Sequence, residues 1–215
     1  MKILSFIRSF SRSVHEEHQG TKYFKADQQE VLECASSLTV WRKSLLLSCN
    51  GFTVINSNGN LVYRVDDYIH RRRSRPDELI LMDGFGKSLL TMHRSKLRLA
   101  DNWVVYEGEA SKSSSNEPIF YVRKHINILH GNPITSVLAY VYEGKRRAYR
   151  IEGSYHNRSC KVFDDSRRVV VEIKRKDNII GGIPFEKDVF VLEVMPGFDP
   201  GFAMALVLLL DQMFS

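Results

Sequence analysis

Near its C-terminus the chain runs FDPGFAMALVLLLDQMF, from Phe198 to Phe214, and the place this segment takes decides what the rest must build. Asp199 followed by Pro200 is a helix start. The carboxylate accepts from backbone N–H groups that lack an intrahelical partner, and proline fixes φ without removing a needed donor. The helix is therefore expected to begin at Asp199 or Pro200. From Gly201 to Leu210 no polar side chain interrupts it, so no face is left for water, and such a helix belongs in a bilayer or inside a protein core. Length separates the two. Ten such residues rise only about 15 Å, about half the ~30 Å hydrocarbon thickness, and counting on to Phe214 still falls short of the ~20 residues a span requires. A protein core is the expected place.

The remainder of the chain reads as strands. After about residue 20 the apolar periodicity is two-fold, with β-branched and aromatic residues in short runs separated by Gly, Asn, Asp and Ser. GFTVINSNGNLVYRV, Gly51 to Val65, is a hairpin whose Asn58-Gly59 pair supplies the positive φ of a tight turn. ELILMDGFGKSLLTM, Glu78 to Met92, repeats the arrangement. Aligning Gly59 with Gly86 sets Val54 on Leu81, Asn56 on Asp83, Val62 on Leu89 and Val65 on Met92. CKVFDDSRRVVVEI, Cys160 to Ile173, is a third copy, with Val54 matching Val162 and Val65 matching Ile173. Further strands are expected at Leu38 to Ser44, Trp103 to Ala110, Ile119 to His125, Ser136 to Glu143, Ala148 to Tyr155 and Asp188 to Met195.

About twelve short strands and one helix apolar on every side suggest a closed arrangement, since a flat sheet would leave that helix unburied. A closed antiparallel barrel removes exposed edges and provides a lumen for the helix to fill. The SKSSSNEP stretch, Ser111 to Pro118, suits a hairpin loop better than a linker between domains. One barrel domain over residues 21–215 is expected, preceded by a tail of residues 1–20. A chain of 215 residues with 43% hydrophobic content is long enough to bury such a core.

The tail sets Ile3, Phe6, Ile7, Phe10 and Val14 at helical spacing among Lys2, Arg8 and Arg12. It lacks the continuous apolar run and small-residue cleavage site of a secretory signal. Its weak amphipathicity is compatible with a disordered tail, an organellar transit peptide or a surface-lying membrane helix.

No residue constellation points to catalysis or to a cofactor. Cys34, Cys49 and Cys160 are odd in number and far apart, with no C-x-x-C pair to hold zinc or run redox chemistry; they suit a reducing compartment. Gly84 to Gly86 and the Gly181-Gly182 pair lack the spacing of a phosphate-binding loop. His15 and His18 offer two nitrogens in a tail, a poor metal site. Asp164 and Asp165 fall in a hairpin turn, where Asp bonds its own backbone. Glu186, Asp188, Glu193 and Asp199 lack the alternating oxygens of a calcium loop. No metal site and no enzyme activity are expected.

The formal net charge of +6 instead favours an anionic partner, either nucleic acid or the cytoplasmic face of a membrane. Basic residues cluster as HRRRSR (His70 to Arg75), RSKLR (Arg94 to Arg98), KRR (Lys145 to Arg147) and KRK (Lys174 to Lys176), mostly where strands end. Guanidinium groups bind phosphate oxygens bidentately and lysines add point charge. Arg71, Arg72, Arg73 and Arg75 are the first candidates for binding an anionic headgroup, and Lys145, Arg146 and Arg147 the second. Each cluster also suits plain solvation of a hairpin. No recognition helix and no paired RNA-stacking aromatics support base readout.

The chain resembles the plant LURP-one-related proteins. The resemblance runs from about Leu38 to Met213, through LTVWRKSLLLSCNGFTVINSNGNLVYRVDDY, ELILMDGFGKSLLTM, SYHNRSCKVFD, VVVEIKRK and KDVFVLEVMPGFDPGFAMALVLLLDQM. The order and number of these stretches make it specific. That family is related in fold to the tubby C-terminal domain and to phospholipid scramblases, which implies a barrel of about twelve antiparallel strands around a central C-terminal helix. The family has no settled biochemical activity, and with no catalytic constellation in the chain a non-enzymatic module is expected. Tubby domains bind phosphoinositide headgroups and have been viewed as membrane-tethered transcription factors, while LURP-one-related proteins are associated with plant defence. No tubby lipid ligand maps onto a residue here. The resemblance together with the basic charge favours a protein meeting anionic phospholipid; a monomer is expected, cytoplasmic and either peripheral at the plasma membrane or nuclear. A nucleic-acid-associated regulator using the same basic patches is the alternative.

Overall fold

The computed structural model describes residues 35–46, 50–67, 77–95, 101–109, 117–126, 137–176, 179–180, 183–184 and 187–215. Residues 1–20, Cys34, Cys49, Gly181, Gly182 and Glu186, all weighed above, lie outside them. The strands are β1 (Ser36–Trp41), β2 (Asn50–Ile55), β3 (Leu61–Asp67), β4 (Glu78–Asp83), β5 (Ser88–Arg94), β6 (Asn102–Glu107) and β7 (Phe120–Lys124), followed by β8 (Val137–Glu143), β9 (Arg146–Ser154), β10 (Ser159–Asp164), β11 (Val169–Arg175), β12 (Ile179–Ile180), β13 (Ile183–Pro184) and β14 (Val189–Val194). The helix α1 (Pro200–Phe214) ends the chain. β12 and β13 form a ribbon of their own. The other twelve close into an antiparallel barrel in which β14 completes the ring between β11 and β1.

The lumen is built by the two-fold alternation. Leu192 of β14 lies opposite Leu38 on one side and Ile173 on the other, and the row continues from Ile173 to Cys160. Each of these side chains is buried. Across the barrel, Val122 faces Val141, and Ala139 faces Ile151. α1 fills the space they enclose, with every residue from Gly201 to Asp211 buried. A helix without a polar side is thus placed where only apolar contact is required.

The helix start follows the sequence. Asp199 is the N-cap, its Oδ1 accepting from Phe202 N at 2.6 Å, and Pro200 opens the first turn. Phe198 and Phe202 pack with Tyr149, and Phe202 stacks on Phe120 with ring centroids 4.2 Å apart. These aromatics fix the point at which the helix enters the barrel.

The three hairpins share one turn. Gly59 N donates to Asn56 O, Gly86 N to Asp83 O and Arg167 N to Asp164 O, each at 3.0 to 3.1 Å. The side chains of Asn56, Asp83 and Asp164 each accept from the backbone N–H four residues on, at 2.9 Å. The turn needs a positive φ at its fourth residue, found at Gly59 (82°), Gly86 (92°) and Arg167 (60°). Val54, Leu81 and Val162 occupy equivalent buried positions, as the alignment requires. A register shift follows each of them.

The first strand departs from its expected extent. It stops at Trp41 rather than Ser44, because Lys43 N turns back to Trp41 O while Arg42 N reaches Asp188 O.

Candidate functional site

Strict antiparallel order gives the barrel two chemically different ends. α1 starts at one, which we call the base, and finishes at the other, the mouth. The connections β2–β3, β4–β5, β6–β7, β8–β9 and β10–β11 lie at the base. The connections β1–β2, β3–β4, β5–β6, β7–β8, β9–β10 and β11–β14 leave from the mouth. Base turns are mostly tight, and mouth connections are mostly long.

Lys145, on the β8–β9 turn, and Arg146 and Arg147, which open β9, fall at the base, and all three are exposed. Arg146 pairs with Asp165 of the neighbouring β10–β11 turn, and that hydrogen bond and charge hold its guanidinium pKa above the ordinary value. Arg147 lies over the Tyr140 ring, 5.3 Å from its centroid. Arg71, Arg72, Arg73 and Arg75 lie outside the described residues, in the β3–β4 connection. The strands it joins meet the mouth, as do those joined by the connection holding Lys96 and Arg98. Lys145, Arg146 and Arg147 thus lie at the base, whereas the strand ends on either side of HRRRSR, Asp67 and Glu78, meet the mouth.

KRK also divides. Lys174 is bound to Glu193 at 2.6 Å and Glu172 at 3.2 Å in an outer-face ladder that includes Lys161, and these carboxylates raise its pKa. Arg175 shares the parity of buried Ile173 yet is exposed, since β11 ends there. Lys176 Nζ bonds Thr39 Oγ1 at 3.2 Å.

At the mouth the helix ends among cations supplied by strands, for its own last turn contains none. Lys124 Nζ donates to Met213 O, a backbone carbonyl of that turn. Arg42 grips Asp211, with Nε to Oδ1 at 3.0 Å and Nη2 to Oδ2 at 3.2 Å. A positive charge at a helix C-terminus is favourable and the acid Asp211 is not, so the two strand cations correct the balance. Burial works against the Arg42 charge, but Asp211, helped by Tyr155 and Asp188, leaves its pKa raised. Burial, then the Asp211 carboxylate, pushes the Tyr155 hydroxyl far above its ordinary range. Arg158 is buried between the Tyr155 and Phe190 rings, 4.2 and 4.5 Å from their centroids, and donates from Nε to Lys187 O at 2.9 Å.

A model of the LURP-one-related family matches residues 36–211. The chain belongs to the LURP-one-related family. LURP-one-related 17 of Arabidopsis thaliana is 48% identical, over 98% of this chain and 99% of its own length. LURP-one-related 8 of the same plant is 47% identical, over 85% and 89%. An Arabidopsis thaliana protein solved by X-ray crystallography superposes with a TM-score of 0.58 over 83% of this chain and 91% of its own, at 24% identity, which speaks to the fold alone.

Among the described residues of this LURP-one-related barrel, no group of three or more His, Cys, Asp and Glu side chains is arranged to hold a metal ion. No described helix is long and apolar enough to cross a membrane. The mouth residues Trp41, Arg42, Lys43 and Lys124 were not singled out from the sequence. The signal was present in WRKSLLL, Trp41 to Leu47, an aromatic and two cations followed by leucines. As part of a strand expected to run from Leu38 to Ser44, it registers only as strand propensity.

Proposed function

We propose that this LURP-one-related barrel is a non-enzymatic binding module that meets anionic phospholipid headgroups at a membrane surface. One observation carries the reading. HRRRSR, most of RSKLR, and Arg42 and Lys43 all fall in connections between strand ends that meet at the mouth, so the sequence puts its basic excess in the segments that leave that end. A one-sided excess of this kind is attracted to an anionic bilayer, gaining about 1 kcal/mol for each Lys or Arg near the surface. Arg71, Arg72, Arg73 and Arg75 are the proposed headgroup contacts. Lys145, Arg146 and Arg147 form a separate patch, and a flat bilayer meets only one end of the barrel at a time.

Sedimentation with anionic vesicles, run beside a DNA gel shift at physiological salt, tests this. Neutralising Arg71, Arg72, Arg73 and Arg75 together is expected to lower vesicle affinity by roughly two orders of magnitude with the fold intact. A larger loss on phosphoinositide than on phosphatidylserine vesicles of equal charge would indicate a defined headgroup pocket. Unchanged vesicle binding in that variant, or none in the wild type, overturns the assignment, and a parallel fall in DNA affinity alone would favour the nucleic-acid reading.

A further inference from the structure

The described residues expose five large hydrophobic side chains, Trp41, Leu45, Leu46, Phe85 and Ile126. Phe85 sits on the β4–β5 turn at the base; the other four are at the mouth. Trp41 ends β1, Leu45 and Leu46 follow it, and Ile126 lies two residues past the end of β7. In the closed ring β1 and β7 stand on opposite sides, six strands apart either way, so these residues flank the mouth rather than gather in one spot. Solvation disfavours such a distribution, and a surface that covers the whole end relieves it.

The segment bearing three of them is held in shape. Leu46 N donates to Ser44 Oγ at 3.0 Å, Ser44 Oγ donates to Asp66 Oδ1 at 2.6 Å, and Thr53 Oγ1 donates to Lys43 O at 2.7 Å. Cations accompany the apolar groups. Lys43 Nζ lies 5.3 Å from the Trp41 ring centroid. Arg175 pairs in register with Phe190, whose other partner is Val40, beside Trp41. An indole, leucines and long cationic side chains at one end of a protein match the chemistry of an anionic bilayer interface. There the indole sits at headgroup depth, leucines reach the acyl boundary and Lys or Arg heads remain at the phosphates.

We propose that the barrel docks on an anionic bilayer mouth first, with the C-terminus of α1 toward the membrane. Trp41, Leu45, Leu46 and Ile126 enter the headgroup–acyl boundary, while Lys43 and Arg175 stay at phosphate level. This rests on the lipid reading above and adds an orientation and an insertion step that charge alone does not supply.

The chain has two tryptophans, and Trp103 is buried in the core, so Trp41 reports the event. Full-length protein is titrated with phosphatidylcholine–phosphatidylserine vesicles carrying brominated acyl chains, and sedimentation is measured in parallel. The expected result is a blue shift and bromine quenching of Trp41 emission, absent in Trp41→Phe. Leu45→Ser combined with Leu46→Ser should lower affinity about tenfold or more, as removal of inserted apolar groups does. Phe85→Ser, at the far end, should leave affinity unchanged. Circular dichroism of each variant separates loss of binding from loss of fold. Vesicle sedimentation without Trp41 quenching, and without an effect of the leucine changes, overturns the insertion while leaving the lipid reading standing. No sedimentation of the wild type overturns both. A concentration-dependent dimer in solution that the leucine changes abolish would assign the patch to a second copy and overturn the membrane orientation.

Discussion

Arg42 and Asp211, 169 residues apart in sequence, form a two-pronged ion pair that fastens the end of β1 to the last turn of α1. Asp211 is buried and also accepts from Tyr155 Oη at 3.2 Å and Ser215 Oγ at 2.9 Å, whereas Arg42 is partly exposed. Removing Arg42 leaves a buried carboxylate beside the negative end of a helix; replacing Asp211 by Asn keeps an acceptor for its neutral partners. Arg42→Ala is therefore expected to cost about 2 to 3 kcal/mol, somewhat under the range for fully buried pairs, and Asp211→Asn about 1 to 2. A double-mutant cycle in urea unfolding checks both. Strict additivity would show that the pair is ornamental.

Filling the lumen makes α1 indispensable. Leu206 and Leu208 are buried against the barrel wall, and an unpaired charge there is costly against a total stability of about 5 to 15 kcal/mol. Leu206→Arg or Leu208→Arg should abolish cooperative folding, and deletion of residues 201–215 should give insoluble protein. Leu208→Ala, which only opens a cavity, should fold with a loss of about 2 to 5 kcal/mol. A soluble deletion product with a sharp thermal transition would contradict this account.

The N-cap carries a pH dependence. Burial raises the Asp199 pKa, and the N–H groups of Phe202 and Gly201 only partly oppose it. Because the folded value is raised above the unfolded one, the associated stability is present in full below the unfolded pKa of about 4 and is lost as pH rises through the folded value. Asn caps a helix equally well and does not ionise. Asp199→Asn should thus gain on the wild type between about pH 4 and neutrality. Denaturation midpoints measured along that range decide the sign, and a wild-type advantage growing with pH would be the wrong one.

Arg167 holds the left-handed conformation that Gly59 and Gly86 hold in the sister hairpins. That conformation costs an L-residue about 1 to 2 kcal/mol, and glycine returns part of the relief through its freer unfolded chain. Arg167→Gly should stabilise the domain by about 0.5 to 1 kcal/mol. Thermal unfolding of the variant beside Gly59→Ala, for which a loss of similar size is expected, tests the equivalence of the three turns.

Local rules made much of the architecture legible in the sequence. Asp199-Pro200 marks a helix start because capping is decided within four residues, and the equivalence of Asn56, Asp83 and Asp164 follows from a turn that closes within five. The closure of the sheet was readable for a different reason: a helix with no polar side must be surrounded, and this one is too short to be surrounded by lipid. Other features depended on pairings between distant segments. No property of Arg42 or Asp211 announces that they meet, since their contact is set by the path of α1 back through the lumen. Nor does sequence spacing reveal which basic clusters share an end of the barrel. Lys145 to Arg147 and the arginines of HRRRSR look alike as short runs between strands, yet each successive antiparallel strand reverses the direction of the chain. That alternation, closed into a ring, sends one run to the base and the connection bearing the other to the mouth. Chain direction is a property of the whole sheet, and only the assembled barrel fixes it.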